Sequence, residues 1–375
     1  MQSCGNRSRM TAISTDEALL SRAIEIAQLG RGAVEPNPMV GCVIARGGDV
    51  VGEGYHKRFG GPHAEVEALS VAGEAANGAD VYVTLEPCCH HGKTGPCVEA
   101  LIQARVKRVI VGCTDPNPKV AGQGLDLLRG AGIEVVTDVL TDEAQRLIAP
   151  FSKLITTGRP WVIGKWAMTL DGKIASYTGS SQWISGEASR AAVHQLRGVV
   201  DAVLVGRGTV EADDPLLTAR PAGPRTATRV VLDSAATLPL SCQLVQSIDQ
   251  APLLIAATSQ APSENRRRLE DIGAEVLSLP SGDHKASLVA LLDELGTRQM
   301  TNLLVEGGGE VLGSLLDLKA IDEVQVFVAP KLIGGACASS PVGGVGIAEM
   351  AEALSLDEVQ IDQFGADIRV RGLLR

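Results

Sequence analysis

The chain has 375 residues, 45% hydrophobic and 21% charged, which is globular composition and length enough for two domains with full cores. A formal net charge of −10 excludes a broad basic face for nucleic acid, and aromatics, at 3%, are too few for a base-stacking surface. No apolar run reaches the ~18 residues of a membrane span, and eight cysteines scattered along the chain are not a disulfide framework.

The polar stretch Met1–Arg9 lacks the apolar core of a secretory signal, so a cytoplasmic protein is expected, with Met10 an alternative start. Ser14 and Glu17 have the spacing of a capping box, and Leu20, Ala23, Ile24 and Ala27 continue a helix towards Gly30. Apolar runs on either side of Arg46–Asp49 predict a hairpin. A helix over His63–Ala72, a strand over Val81–Leu85, a helix over Val98–Ala104 and a strand over Arg108–Val111 follow. Gly124–Arg129 and Ile133–Val136 repeat the alternation, which predicts a sheet covered by helices. One helix is predicted over Thr141–Ile155. Thr157-Gly-Arg-Pro160 then breaks the chain, giving domains at 12–156 and 160–375. Beyond it, strands are predicted at Trp161–Ala167, Ala202–Val205, Arg229–Leu232, Leu253–Ala256, Leu303–Val305 and Glu323–Val328. Helices are predicted at Glu187–Leu196, Ser263–Ile272, Lys285–Leu295 and Glu310–Leu316.

His63-Ala-Glu65 is followed by Pro87-Cys88 and, nine residues later, by Cys97. One imidazole and two thiolates leave a fourth tetrahedral position for water, as a catalytic zinc site requires. Glu65, two residues past His63, can shuttle protons without binding metal, which is the layout of the zinc deaminases. The competing reading is a structural zinc knot with His90 or His91 as fourth ligand. The two cysteines stand farther apart than the usual two intervening residues of that class.

That longer spacing fits one branch. Glu86-Pro-Cys-Cys-His-His-Gly-Lys-Thr-Gly-Pro-Cys97, Pro36-Asn-Pro-Met-Val-Gly-Cys-Val43 and His56 resemble the deaminase of the bifunctional riboflavin-biosynthesis deaminase/reductases. Cys89 stands where that family has serine and Gly95 where it has proline, so Cys88 and Cys97 are expected as ligands and Cys89 is not. The resemblance also implies that Asn37, His56 and Lys93 face the substrate, a phosphorylated diaminopyrimidinone.

The second half has no Gly-x-Gly-x-x-Gly after its first strand, and its residues alone indicate only an α/β domain. Lys165-Trp-Ala-Met-Thr-Leu-Asp-Gly-Lys-Ile174, Ser181-Gln-Trp-Ile184, Asp201–Gly206, Asp213–Leu217 and Val305-Glu-Gly-Gly-Gly309 resemble the reductase of the same family. The resemblance implies a cytidine-deaminase-like three-layer domain followed by a dihydrofolate-reductase-like domain that uses NADPH. Ala167, Trp183, Thr209, Asp213, Gly308 and Gly309 would hold NADPH. Lys165, Ser181, Arg197, Leu216, Arg220 and Glu306 would hold substrate. Met168 departs from the small residues common near its position. The expected partners are small molecules and not nucleic acid or membrane, with a homo-oligomer left open. The rival functions are a nucleobase- or nucleic-acid-editing deaminase with an appended domain, and a zinc-stabilised binding protein.

Overall fold

The structure, a computed structural model, describes residues 14–90, 95–118 and 120–374. It divides into two compact units, one ending at Ser152 and one beginning at Lys153.

The first unit contains, in chain order, α1 (Thr15–Ala27), β1 (Gly41–Arg46), β2 (Asp49–Tyr55), α2 (Ala64–Ala72), β3 (Asp80–Leu85), α3 (Cys97–Gln103), β4 (Arg108–Cys113), α4 (Gln123–Gly130), β5 (Glu134–Val136) and α5 (Thr141–Leu147). The capping box opens α1: the Glu17 amide donates to Ser14 Oγ, and the Ser14 amide donates to the Glu17 carboxylate. Gly47 and Gly48, both at positive φ, turn the β1–β2 hairpin. Among the described residues the sheet has five strands, in the order β2-β1-β3-β4-β5, with the last three parallel.

Alternation along each strand sorts side chains to two faces. Cys42, Ile44, Val81, Val83, Val109 and Val111 pack with α2, α3 and α4, whereas Val43, Ala45, Tyr82 and Ile110 pack with α1. These strands therefore read as continuous apolar runs, and the unit has three layers. A Cβ on Gly54 would lie 2.3 Å from the Ala68 amide nitrogen, so this glycine lets α2 sit directly on β2.

The expected helix over Thr141–Ile155 is instead two, α5 and α6 (Ala149–Thr157), with Ile148 outside helical geometry. Pro150 is the cause: its ring disfavours a continuing helix before it, while the first turn of a new helix tolerates a residue without an amide hydrogen.

The second unit continues with β6 (Trp161–Thr169), α7 (Glu187–Arg197), β7 (Ala202–Gly206), α8 (Arg207–Asp213), β8 (Thr228–Leu232), α9 (Gln243–Gln246), β9 (Leu253–Thr258), α10 (Ser263–Glu270), β10 (Glu275–Leu279), α11 (His284–Thr297), β11 (Asn302–Val305), α12 (Gly309–Asp317), β12 (Glu323–Ala329), β13 (Leu356–Phe364) and β14 (Asp367–Leu374). Its described strands form one sheet, β10-β9-β8-β7-β11-β6-β12-β14-β13. All neighbours are parallel as far as β12, and the closing β14–β13 hairpin is antiparallel. Ile163, Val203, Val205, Val231, Ile255 and Leu304 face a core containing Leu196, Leu244 and Leu269. The alternate residues, including Val162, Leu204, Val230, Leu254 and Leu303, face α11 and α12.

The chain runs outwards from β7 to β10 and then returns to insert β11 between β7 and β6. In open α/β sheets, ligands bind beyond the carboxyl ends of strands at such a reversal.

Candidate active sites

In the first unit His63 is the N-cap of α2, its backbone extended, and Glu65 follows in the first turn. Cys88 comes three residues after β3, and Cys97 begins α3. Cys88 Sγ lies 3.4 Å and Cys97 Sγ 3.3 Å from His63 Nδ1, and the Cys97 amide donates to Cys88 Sγ at 3.4 Å. All three donor atoms lie within 4.8 Å of one another. This imidazole and these two sulfurs have the chemistry and mutual spacing that zinc takes. Cys89 lies outside the group, its Sγ 4.0 Å from Gln123 Oε1.

The electrostatics agree. The Cys97 thiol and the His63 ring stabilise a Cys88 thiolate against the cost of burial and hold its pKa well below the ordinary thiol range. The same partner, with burial, pushes Cys97 up. Two adjacent thiols cannot both ionise on their own, whereas a divalent cation would allow it. Glu65 is 3% exposed; burial, then the Cys88 charge, raises its carboxyl to about 7.

His56 packs its ring edge-on to that of His63, with centroids 5.3 Å apart, and contacts Asn37 through Nε2 at 3.1 Å. Burial is the largest influence on His56 and lowers its pKa. Lys93 lies outside the described residues, as does His91.

One buried residue was not singled out from the sequence. Glu86 accepts hydrogen bonds from the amides of Asp115, Gly122 and Gly124, so it ties that loop beside Pro87 and Cys88. Its position directly before Pro87-Cys88 was the available signal, but its partners lie 29 to 38 residues onward.

In the second unit a cleft of about 1290 Å³ opens beyond the carboxyl ends of β6, β7, β8 and β11. Lys165 and Ala167 enter it from β6, Glu306, Gly308 and Gly309 from the turn between β11 and α12, and Thr209 and Asp213 from α8. Ser181, Trp183, Arg197, Leu216 and Arg220 complete the residues singled out above, and all twelve border this one cleft.

Arg197 grips Glu306 at both carboxylate oxygens, at 2.5 and 2.9 Å, and Lys165 approaches the same group at 3.5 Å. Burial opposes the Glu306 charge, but the two cations together outweigh it and hold the carboxyl at about 2. Burial lowers the Lys165 pKa. One carboxylate against two cations leaves the cluster with a net positive charge.

Gly308 donates its amide to Thr209 Oγ1 at 2.9 Å, and Ser181 Oγ donates to Asp213 at 2.6 Å. Trp183 is 64% exposed, with the Arg190 guanidinium 4.6 Å above its ring and Lys331 bonded to its carbonyl oxygen. Arg190 and Lys331 are further residues that sequence reasoning did not find.

Residues 13–113 match the family described as the cytidine and deoxycytidylate deaminase zinc-binding region, and residues 160–370 match the RibD C-terminal domain. The chain is 43% identical to riboflavin biosynthesis protein RibD of Actinobacillus pleuropneumoniae over 94% of both chains. The chain belongs to the RibD family.

It is accordingly a bifunctional enzyme of riboflavin biosynthesis, with a zinc-binding deaminase half and a reductase half. RibD of Escherichia coli K12 is 40% identical over 94% of this chain and 98% of its own length. Among solved structures, Acinetobacter baumannii RibD superposes with a TM-score of 0.85 at 38% identity, over 97% of this chain and all of that one. A Thermotoga maritima protein, described as a diaminohydroxyphosphoribosylaminopyrimidine deaminase/5-amino-6-(5-phosphoribosylamino)uracil reductase, superposes with a TM-score of 0.82 at 34% identity. That match covers 96% of this chain and 99% of the other. These whole-length likenesses fix the RibD architecture of both units, the cytidine-deaminase-like and the reductase fold.

Proposed function

We propose that the first half, 12–156, removes an amino group hydrolytically from 2,5-diamino-6-ribosylamino-4(3H)-pyrimidinone 5′-phosphate. The second half, 160–375, then reduces the ribosyl group of the product to ribityl with NADPH. The observation that carries this reading is the convergence of His63, Cys88 and Cys97 close to the buried Glu65 in a unit of the deaminase fold. No helix among the described residues is long and apolar enough to cross a membrane, and we place the enzyme in the cytoplasm with small molecules as its partners.

Zinc held by His63, Cys88 and Cys97 supplies Lewis acidity towards the attacking water. Glu65, with a carboxyl at about 7, suits proton transfer in both directions near neutrality. It accepts a proton from that water and returns it to the departing amine, so that the ring C–N bond breaks and ammonia leaves. Asn37 and His56 serve the base, and Lys93 meets the phosphate as a point charge.

In the second half NADPH supplies the hydride. The bare backbone of Gly308 and Gly309 at the start of α12 suits a phosphate group. Trp183 offers a flat face to nicotinamide, and Ala167, Thr209 and Asp213 complete the cofactor side. A cleft of about 1290 Å³ exceeds the usual range for one small ligand and has room for cofactor and substrate together. Reduction opens the sugar C1′–O bond, adds hydride at C1′ and needs one proton at the freed oxygen. Lys165, made more acidic by burial, suits that role, while Arg197, Arg220, Ser181, Leu216 and Glu306 hold the phosphorylated chain.

A coupled assay tests the reading. The zinc-loaded protein should release ammonia from the diaminopyrimidinone without NADPH, and should oxidise NADPH only once deaminated product is present. Failure to release ammonia would overturn the first half of the proposal. In titrations NADPH should bind more tightly than NADH; equal or tighter NADH binding would remove the cofactor assignment.

A further inference from the structure

Two segments without helix or strand leave the carboxyl ends of the parallel neighbours β6 and β12. One spans residues 170–186 and the other residues 330–340. They are bonded to each other. Leu170 donates its amide to Lys331 O at 2.9 Å, and Ile174 its amide to Ser339 O at 3.0 Å. The Gly334 amide donates to the Asp171 carboxylate at 2.7 Å, and Lys173 Nζ donates to Ala338 O at 3.3 Å. These bonds hold only the start of the first segment. One more reaches its far end: Lys331 Nζ donates to Trp183 O at 2.6 Å.

Trp183 is largely exposed, so packing does not fix its ring. Two cations act on it instead. Lys331 holds the backbone carbonyl, and the Arg190 guanidinium, itself bonded to Ser185 O at 2.7 Å, covers one face of the ring at 4.6 Å. Ser181, two residues earlier, is held separately, by its 2.6 Å bond to Asp213.

We propose that Lys331 is a positioning residue for the reductase: it fixes the backbone of Trp183, so that the ring keeps one face under Arg190 and presents the other to the nicotinamide of NADPH. The proposal rests on the cofactor reading above. An exposed tryptophan free to turn must be immobilised when cofactor binds, and that ordering weakens binding. Tethered at its carbonyl and covered on one side by a cation, the ring is ordered beforehand, with its open face left for a second flat ring. The tether comes from the end of β12, the strand beside β6, and β6 brings Lys165 and Ala167 into the same cleft. Ring and cleft floor therefore share one rigid base.

The test has two arms. Full-length protein carrying ¹⁵N-tryptophan gives indole N–H signals from Trp161, Trp166 and Trp183, the last assigned by its loss in Trp183→Phe. Lys331→Met should shift or broaden the Trp183 signal. The signals of Trp161 and Trp166, both in β6, should stay in place and so show that the second unit is folded. An unaltered Trp183 signal overturns the proposal, and this arm needs no cofactor. Should Lys331→Met not fold, Lys331→Gln takes its place.

In the second arm, Lys331→Met should weaken NADPH binding by about tenfold, the upper end of the cost of immobilising one side chain. The KM for deaminated pyrimidine should stay close to the parent value, because Asp213 still holds Ser181. Lys331→Arg, which keeps a charged donor on a long stem, should recover most of the lost affinity. In a Trp183→Ala background Lys331→Met should cost nothing further. Undiminished NADPH affinity, or a further loss in that background, would overturn the proposal. If saturating NADPH leaves the Trp183 signal of the unsubstituted protein unmoved, the placing of nicotinamide on Trp183 fails instead, while the Lys331 tether stands on the first arm.

Discussion

Glu65 and Glu306 are both buried carboxylates, yet their surroundings push them in opposite directions. Glu65 has burial and a thiolate around it and rises to about 7; Glu306 has Arg197 and Lys165 and falls to about 2. Glu65→Gln should keep zinc and fold, because the residue is no ligand, but an amide can neither take nor return a proton. Deamination should fall at least ~10²–10⁴-fold, while reduction of ready-made deaminated substrate stays near the parent rate. Two assays on one preparation, with zinc content measured, check this; surviving deamination would remove the proton role. For Glu306 the folded pKa lies below its ordinary 4.5, so its ion cluster contributes stability above about pH 4.5. That contribution is lost as the pH falls towards 2. Glu306→Gln should be less stable at neutral pH, because Arg197 and Lys165 would be left buried without a counter-charge. It should also lose less stability between pH 4.5 and 2 than the parent does, measured by denaturant titration across that range.

At the scale of elements, the deaminase site is assembled where α2, α3 and the loop before α4 meet the carboxyl ends of β3 and β4. The loop before α4 and the helix's first turn approach so closely that a Cβ on Gly124, the second residue of α4, would lie 2.2 Å from the carbonyl oxygen of Pro87, the residue before Cys88. Glu86 holds the same loop by three amides. Gly124→Ala must push the loop and the Pro87–Cys88 backbone apart. Its zinc affinity should fall by about 10–100-fold, the size of effect seen when groups supporting a ligand are disturbed. Competition with a chelator measures it, and NADPH-dependent reduction in the other unit should be unchanged. An unaltered zinc affinity would mean that this loop does not set the position of Cys88.

Each unit of the whole molecule buries its own apolar core, so neither needs a metal for folding. Zinc removal by chelation should abolish deamination, leave reduction intact and leave the helical circular dichroism signal almost unchanged. Loss of that signal from the first unit would instead mark a structural zinc knot, the competing reading of the same three residues.

Much of both folds was legible from local pattern. The capping box of α1, the Gly47-Gly48 hairpin and the apolar runs of the central strands depend on neighbours a few residues apart, so their physics is written in short windows. The grouping of His63, Cys88 and Cys97 was legible because His63-Ala-Glu65 and Pro87-Cys88 are compact motifs, each placed at the start of a helix or the end of a strand. Family resemblance, and not the physics of the residues, pointed to the reductase positions. What local pattern could not show was held by distant partners. The strands β10, β13 and β14 and the short helices α8 and α9 were not anticipated. β13 is exposed along most of its length, and its register shifts between Asp357 and Gln360. It therefore carries no apolar period, and pairing with β14 makes it a strand. Lys165, Arg197 and Glu306 are each ordinary surface candidates in sequence. Only the insertion of β11 between β6 and β7 brings the three charges together in a buried cluster, because sheet order, unlike helix period, is decided by contacts between residues more than a hundred positions apart.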